Sequence, residues 1–291
     1  MRHILLLSSC LLAMPAFAQP CPPSGQTVAS LQALKAGKFV VPDAAAKQTL
    51  ASGLLGCLSD PDPEVRDGIA YEALTQWMRA GDFDAPALRA MREQLFGLLD
   101  GEDKAGFRKP FAALVLSEVA RTDRIKPWMT PQERAAMVER AAAYVESVRD
   151  YRGYSEGEGW RHGVAHGADW LMQLSLNPAL ERAQYDRILA AIATQAVPRS
   201  HAYVFGEPER LAKPLLFTAK RGLLSQADWT AWFAALPARV GKLDRTDYAG
   251  WLARRHDLLA FLTGLYLQAD QSEDAAIKAL KPAIVAALKQ M

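Results

Sequence analysis

The sequence has little of what marks most specialised chains. Only three cysteines, Cys10, Cys21 and Cys57, occur among 291 residues, too few for a disulfide-dense mini-scaffold. Neither sign of charge is in excess: 34 Lys and Arg stand against 32 Asp and Glu, a formal +2. That balance argues against bulk attraction to nucleic acid or anionic lipid. Beyond the first residues, no apolar run approaches the ~20 residues of a membrane-spanning helix. Period-two alternation, the mark of a half-buried strand, is also missing. What remains is ordinary globular composition, 50% hydrophobic and 23% charged, which excludes intrinsic disorder and collagen-like repeats.

The first eighteen residues read as an export signal rather than as part of the fold. Arg2 and His3 give a positive start, and Ile4 to Leu12 is apolar except for Ser8, Ser9 and Cys10. Ala16-Phe17-Ala18 then places small residues where a signal peptidase reads, so cleavage is expected between Ala18 and Gln19, with release to the periplasm. Leu7-Ser8-Ser9-Cys10 also matches a lipoprotein cleavage box, but the apolar stretch before Cys10 is short for that pathway. Cys10 leaves with the signal. Cys21 and Cys57, left in an oxidising compartment, are expected to form one disulfide that staples a Pro-rich segment, 19–42, to the first long helix.

Residues 43–291 are expected to form one all-helical domain. Helices are predicted near 43–58, 63–80, 85–100, 107–123, 131–150, 160–176, 181–197, 207–223, 226–236, 247–268 and 273–290. Thr130-Pro131-Gln132-Glu133 shows how such a start is written: a cap, a proline in the first turn and the acid of a capping box. Helix pairs recur at roughly 40–50 residues, near the HEAT period. Asp62-Pro63-Glu64-Val65-Arg66-Asp67 resembles the start of a HEAT second helix. An irregular HEAT-like α-solenoid is the first expectation, and a closed α/α toroid the second.

The densest polar stretch runs from Asp150 to Asp169, DYRGYSEGEGWRHGVAHGAD. A glycine-punctuated loop carrying Glu156 and Glu158 leads into a helix on which, at 100° per residue, His162, His166, Asp169 and Gln173 share one side. Val164, Ala168 and Leu171 take the other, and Gly163 and Gly167 would admit a neighbouring helix closely. Three readings follow. In a structural seam, Asp169 accepts from the His166 ring while Arg152 returns to the same carboxylate. In a metal-free catalytic site, His162 or His166 is the base, Glu158 the acid and Arg152 an anion clamp. In a metal site, His162 and His166 need an outside acid such as Glu158, because Asp169 rises about 10 Å along the axis from His162. No His-Glu-x-x-His accompanies the pair, so no metal and no cofactor is assigned.

Other polar residues have plainer readings. Arg66 and Asp67 suit inter-repeat bonds, and Glu207, Glu209 and Arg210 suit capping and i,i+3 pairing. Ser200-His201 and Arg255-His256-Asp257 contain triad residue types, but no nucleophile elbow. Trp160 and Trp170 flank the histidine stripe and could wall a groove.

Several of these strings resemble a bacterial family catalogued as domain of unknown function 2785. They are Arg66-Asp67-Gly-Ile-Ala-Tyr71, Phe107-Arg108 with Phe111-Ala-Ala-Leu114, Tyr151-Arg152-Gly153-Tyr154, Gly159-Trp160-x-His162 with Ala165-His166-Gly167-Ala168-Asp169, and Gly206-Glu207 with Glu209-Arg210-Leu211. Arg161 departs from the small residue usual in the family, and Pro110 interrupts the Arg108–Phe111 motif. The resemblance implies an all-helical fold and carries no activity. The expected function is therefore a periplasmic binding or scaffold module for an envelope ligand or protein, with no nucleic-acid partner. A cell-envelope hydrolase or lyase working through His162, His166 and Asp169 is the alternative.

Overall fold

The computed structural model describes residues 20–199 and 201–291. The expected export signal, with Cys10 and the Ala18–Gln19 junction, lies outside the described residues, as does Ser200. The chain is all-α. In order its helices are α1 (Val28–Ala36), α2 (Ala44–Leu54), α3 (Pro63–Val65), α4 (Glu72–Ala80), α5 (Ala85–Leu98), α6 (Arg108–Ile125) and α7 (Pro131–Ser147). Then come α8 (Gly163–Ser175), α9 (Arg182–Gln195), α10 (Glu207–Lys220), α11 (Gln226–Ala234), α12 (Leu236–Val240), α13 (Tyr248–Gln271), α14 (Ala275–Lys278) and α15 (Lys281–Leu288). Between α7 and α8 sits a small antiparallel ribbon, β1 (Tyr154–Ser155) on β2 (Gly159–Trp160).

Local signals set these boundaries. α7 opens on the expected capping box, Thr130 accepting from the Glu133 amide and Glu133 from that of Thr130, with Pro131 in the first turn. Met137, Ala141 and Tyr144 are buried along its inner stripe. Several features differ from the sequence reading, among them the start of the expected 160–176 helix, which is delayed to Gly163 by the β ribbon. α1 lies inside the Pro-rich segment and buries Leu31 in the common core, so ordered structure begins before residue 43. The 63–80 helix contains a π-helical turn, Arg66–Tyr71. The expected 273–290 helix is broken into α14 and α15.

Alternate helices stack. α4, α6, α8, α10 and α13 pack each on the next, while α7 and α9 pack together beside them. One hydrophobic cluster runs from Leu31 to Ala287. The Cys21–Cys57 disulfide forms, joining the N-terminal segment to the 3₁₀ turn after α2.

α8 is the hub of this stack, touching α6, α7, α9 and α10. Every residue from Gly163 to Leu171 is buried, so the helix has no exposed face. Small residues make this possible. A Cβ at Gly167 would come within 2.7 Å of Val145 Cγ2 and 3.0 Å of Tyr144 Cε1, so α7 approaches there only because the residue is glycine.

Candidate functional site

α8 begins one residue after His162, which has φ 55° and ψ 40° in the left-handed region. His162 therefore precedes the helix instead of riding on it. The left-handed turn swings its ring toward the loop before α10, where Nε2 donates to the Phe205 carbonyl at 3.1 Å and lies 3.8 Å from Glu207 Oε1. The other face of the site comes from the ribbon, whose Trp160 ring stacks on His162 with centroids 4.6 Å apart.

One helical turn on, the His166 ring stands edge-on to Phe111, and its Nδ1 donates to the Pro110 carbonyl of α6 at 3.2 Å. A carbonyl only accepts, so each imidazole is fixed in one tautomer: Nε2–H for His162 and Nδ1–H for His166. Burial lowers the His162 pKa to about 4, with the Arg210 charge adding to the effect. Burial, then the neighbouring His162 and Arg210, lowers that of His166 to about 3. Both rings are neutral at physiological pH.

Asp169 completes the seam with a different partner from the one expected. Arg210 of α10 grips its carboxylate through two nitrogens, Nε reaching Oδ1 at 2.9 Å and Nη2 meeting Oδ2. Burial raises the Asp169 pKa while Arg210 opposes the shift. Neither His166 nor Arg152 bonds this carboxylate. A neutral imidazole offers one N–H, and His166 gives it to Pro110. Arg152 is instead folded onto Asp150 and the Lys104 carbonyl.

Glu158 also lies apart from the histidines. Its side chain is half exposed and pairs with Arg161 at 3.2 Å, which holds its carboxyl below the usual carboxylate range. Its backbone carbonyl accepts from the fully buried Arg66. The Arg66 and Arg161 guanidiniums both lie about 4 Å from the Phe107 ring centroid, at 4.0 and 4.1 Å. Arg66 Nε comes within 2.7 Å of Asp67 Oδ1 without hydrogen-bond alignment. Gln173 faces Arg124 rather than the histidines. Thus His162, His166 and Asp169 share one seam, whereas Arg152 and Glu158 belong to the loop that covers it.

Other residues that hold this region come from α10, α13 and the 201–206 segment; of these, Glu207 was expected as a cap, whereas the long-range partners of Arg210 and Asp257 were missed. Glu207, 2% exposed, accepts the Phe205 amide at 3.0 Å, a capping role that its position does suggest. Asp257, 1% exposed, accepts the Tyr203 amide at 2.9 Å, and its Oδ2 has no hydrogen-bond partner. Burial and the Glu207 charge push its pKa up to about 7. His201 stacks flat on Tyr151 at 4.8 Å. A cavity of about 190 Å³ shares Pro110 and Gly163 with the seam and is lined also by Asp103, Lys109, Tyr144 and Asp150; neither histidine reaches it. Among the described residues, no three His, Cys, Asp or Glu side chains converge as a metal would require.

The family described as Protein of unknown function (DUF2785) matches residues 95–267, and the chain belongs to it. That span includes the ribbon, all of α8 and α10, and most of α13. No curated protein and no solved structure matches the chain.

Proposed function

We propose that this member of the family is an exported binding or scaffold protein of helical-repeat type, in which the His162–His166–Asp169 seam is a brace and not a reaction centre. One observation carries the reading: each imidazole donates to a backbone carbonyl of another segment, and Arg210 closes the Asp169 carboxylate. A general base near neutrality needs a pKa near the working pH. These rings are held two units or more below it. The bonds instead tie α8 to α6, to α10 and to the 201–206 segment, which is what a stack of repeats requires at its centre.

Export is supported by the Cys21–Cys57 bond, since disulfides persist in oxidising compartments. No helix among the described residues is long and apolar enough to cross a membrane. The ligand-facing surface in this reading is the ribbon above α8. Tyr154 and Trp160 stand 52% and 37% exposed there, with centroids 5.3 Å apart. Exposed aromatic pairs beside hydrogen-bonding side chains are typical anchors for a partner.

Two variants separate brace from reaction centre. Asp169→Asn removes the charge that Arg210 grips and is expected to cost about 1–3 kcal/mol, a fall of roughly 2–4 °C in Tm per kcal/mol for a chain of this size class. Tyr154→Ala, on the exposed ribbon and 52% exposed, is expected to move Tm far less. An unchanged Tm for Asp169→Asn would remove the brace reading.

A further inference from the structure

Past Leu171, α8 comes nearest to solvent at Met172 and Gln173, both half-buried. Two neighbouring helices meet it there. From α6, Arg124 Nε donates to Gln173 Oε1 at 3.3 Å, and Arg121 stands one turn earlier. From α10, Lys213 and Phe217 follow Arg210 along the side that faces Asp169. Met172, Lys213, Phe217, Lys220, Gln268 and Gln271 line a cavity of about 580 Å³ at this point.

The acids of this face are already engaged. Glu118 gives both carboxylate oxygens to Arg79, at 2.9 and 2.6 Å. Arg210 holds both oxygens of Asp169, and Asp274 lies 3.4 Å from Lys220. Among the described residues, Arg121, Arg124 and Lys213 therefore have no ion pair, although all three are half-buried. Burial, then the Arg121 charge, holds the Arg124 pKa below its ordinary value. Charge that is partly out of water is unfavourable until an opposite charge meets it. Arg124 lies in the last turn of α6, where the helix dipole favours a cation. Arg121 precedes that turn and Lys213 sits mid-helix in α10, beyond the reach of the dipole.

We propose that this face binds an extended acidic segment of a partner protein, with its carboxylates on Arg121, Arg124 and Lys213 and one apolar side chain in the cavity. Charge sets the sign of the partner: three unpaired cations stand on one face of a chain whose formal total is only +2. The glutamines set its class. Gln268 and Gln271 in the cavity, with the Gln173 amide nitrogen beside it, offer donors and acceptors that a peptide backbone uses and an acyl chain does not. Met172 and Phe217 supply an adaptable apolar floor. The inference rests on reading the chain as a binding protein, and it adds a face that the ribbon does not include.

Fluorescence anisotropy with a labelled nonapeptide, glutamate throughout except for a central leucine, tests this. The parent is expected to bind it in the micromolar range and to bind it at least tenfold more weakly when NaCl rises from about 0.05 to 0.5 M. The same peptide with glutamine for glutamate should not bind. Arg121→Gln and Lys213→Gln are each expected to weaken binding severalfold, and together at least tenfold, with the circular-dichroism melt unchanged. Tyr154→Ala should leave binding as it is. Absence of acidic-peptide binding by the parent, or equal binding of the glutamine peptide, overturns the proposal, and the Asp169→Asn melt still tests the brace. Binding that falls with Tyr154→Ala but not with the two glutamines moves the partner to the ribbon and overturns this face. Displacement of the peptide by decanoate, but not by acetate at the same concentration, overturns the peptide class in favour of an anionic amphiphile.

Discussion

Asp257 is the residue whose chemistry is least at ease in the fold. Its folded pKa, about 7, stands above its ordinary value of 3.8, so folded Asp257 holds a proton at pH values where the unfolded chain has lost it. Its contribution to stability is full below pH 3.8 and fades as pH rises toward 7. His162 and His166 have the opposite slope. Their folded pKa values lie below 6.5, so their contribution is full above pH 6.5 and fades as pH falls toward 4. Asp257→Asn separates the two effects, because asparagine keeps a carbonyl oxygen for the Tyr203 amide and carries no charge. The variant is expected to melt a few degrees above the parent at pH 8 and level with it at pH 4. Equal melts at both values would show that Asp257 is not strained by ionisation. None of this was legible in the sequence. Arg255-His256-Asp257 shows triad residue types, yet the partner of Asp257 is a backbone amide 54 positions earlier.

At the scale of elements, local chemistry was readable and long-range pairing was not. The capping box and first-turn proline of α7 are written within four residues, and the chain obeys them. The glycine strip of α8 was also readable, since only a residue without a side chain fits where α7 crosses. Gly167→Ala is accordingly expected to destabilise by about 1–3 kcal/mol through overpacking, which denaturant unfolding would register as a lower midpoint at unchanged slope. The seam partner of Asp169 lies 41 residues away on α10. Arg210 looked like an i,i+3 partner of its own helix because nothing in the sequence specifies which helix faces α8. The ribbon escaped for a simpler reason: two-residue strands are too short to show alternation. α1 escaped because only Leu31 of its nine residues is buried.

For the whole molecule, all-helical architecture followed from composition and periodicity, and the Cys21–Cys57 pairing followed from setting Cys10 aside with the expected export signal. The order in which helices stack did not follow, and it is that order which puts α8 at the centre and turns its polar residues inward. Because α8 is covered on every side and His162, just before it, is buried too, His162, His166 and Asp169 are under pressure to be bonded rather than free to react. The most direct test of this account is nitrogen-detected NMR of the imidazoles as a function of pH. His162 is expected as the Nε2–H tautomer and His166 as the Nδ1–H tautomer, both unchanged between pH 5 and 8. A midpoint near 6.5 for either ring, or rapid tautomer exchange, would contradict the brace and return the pair to the catalytic candidates.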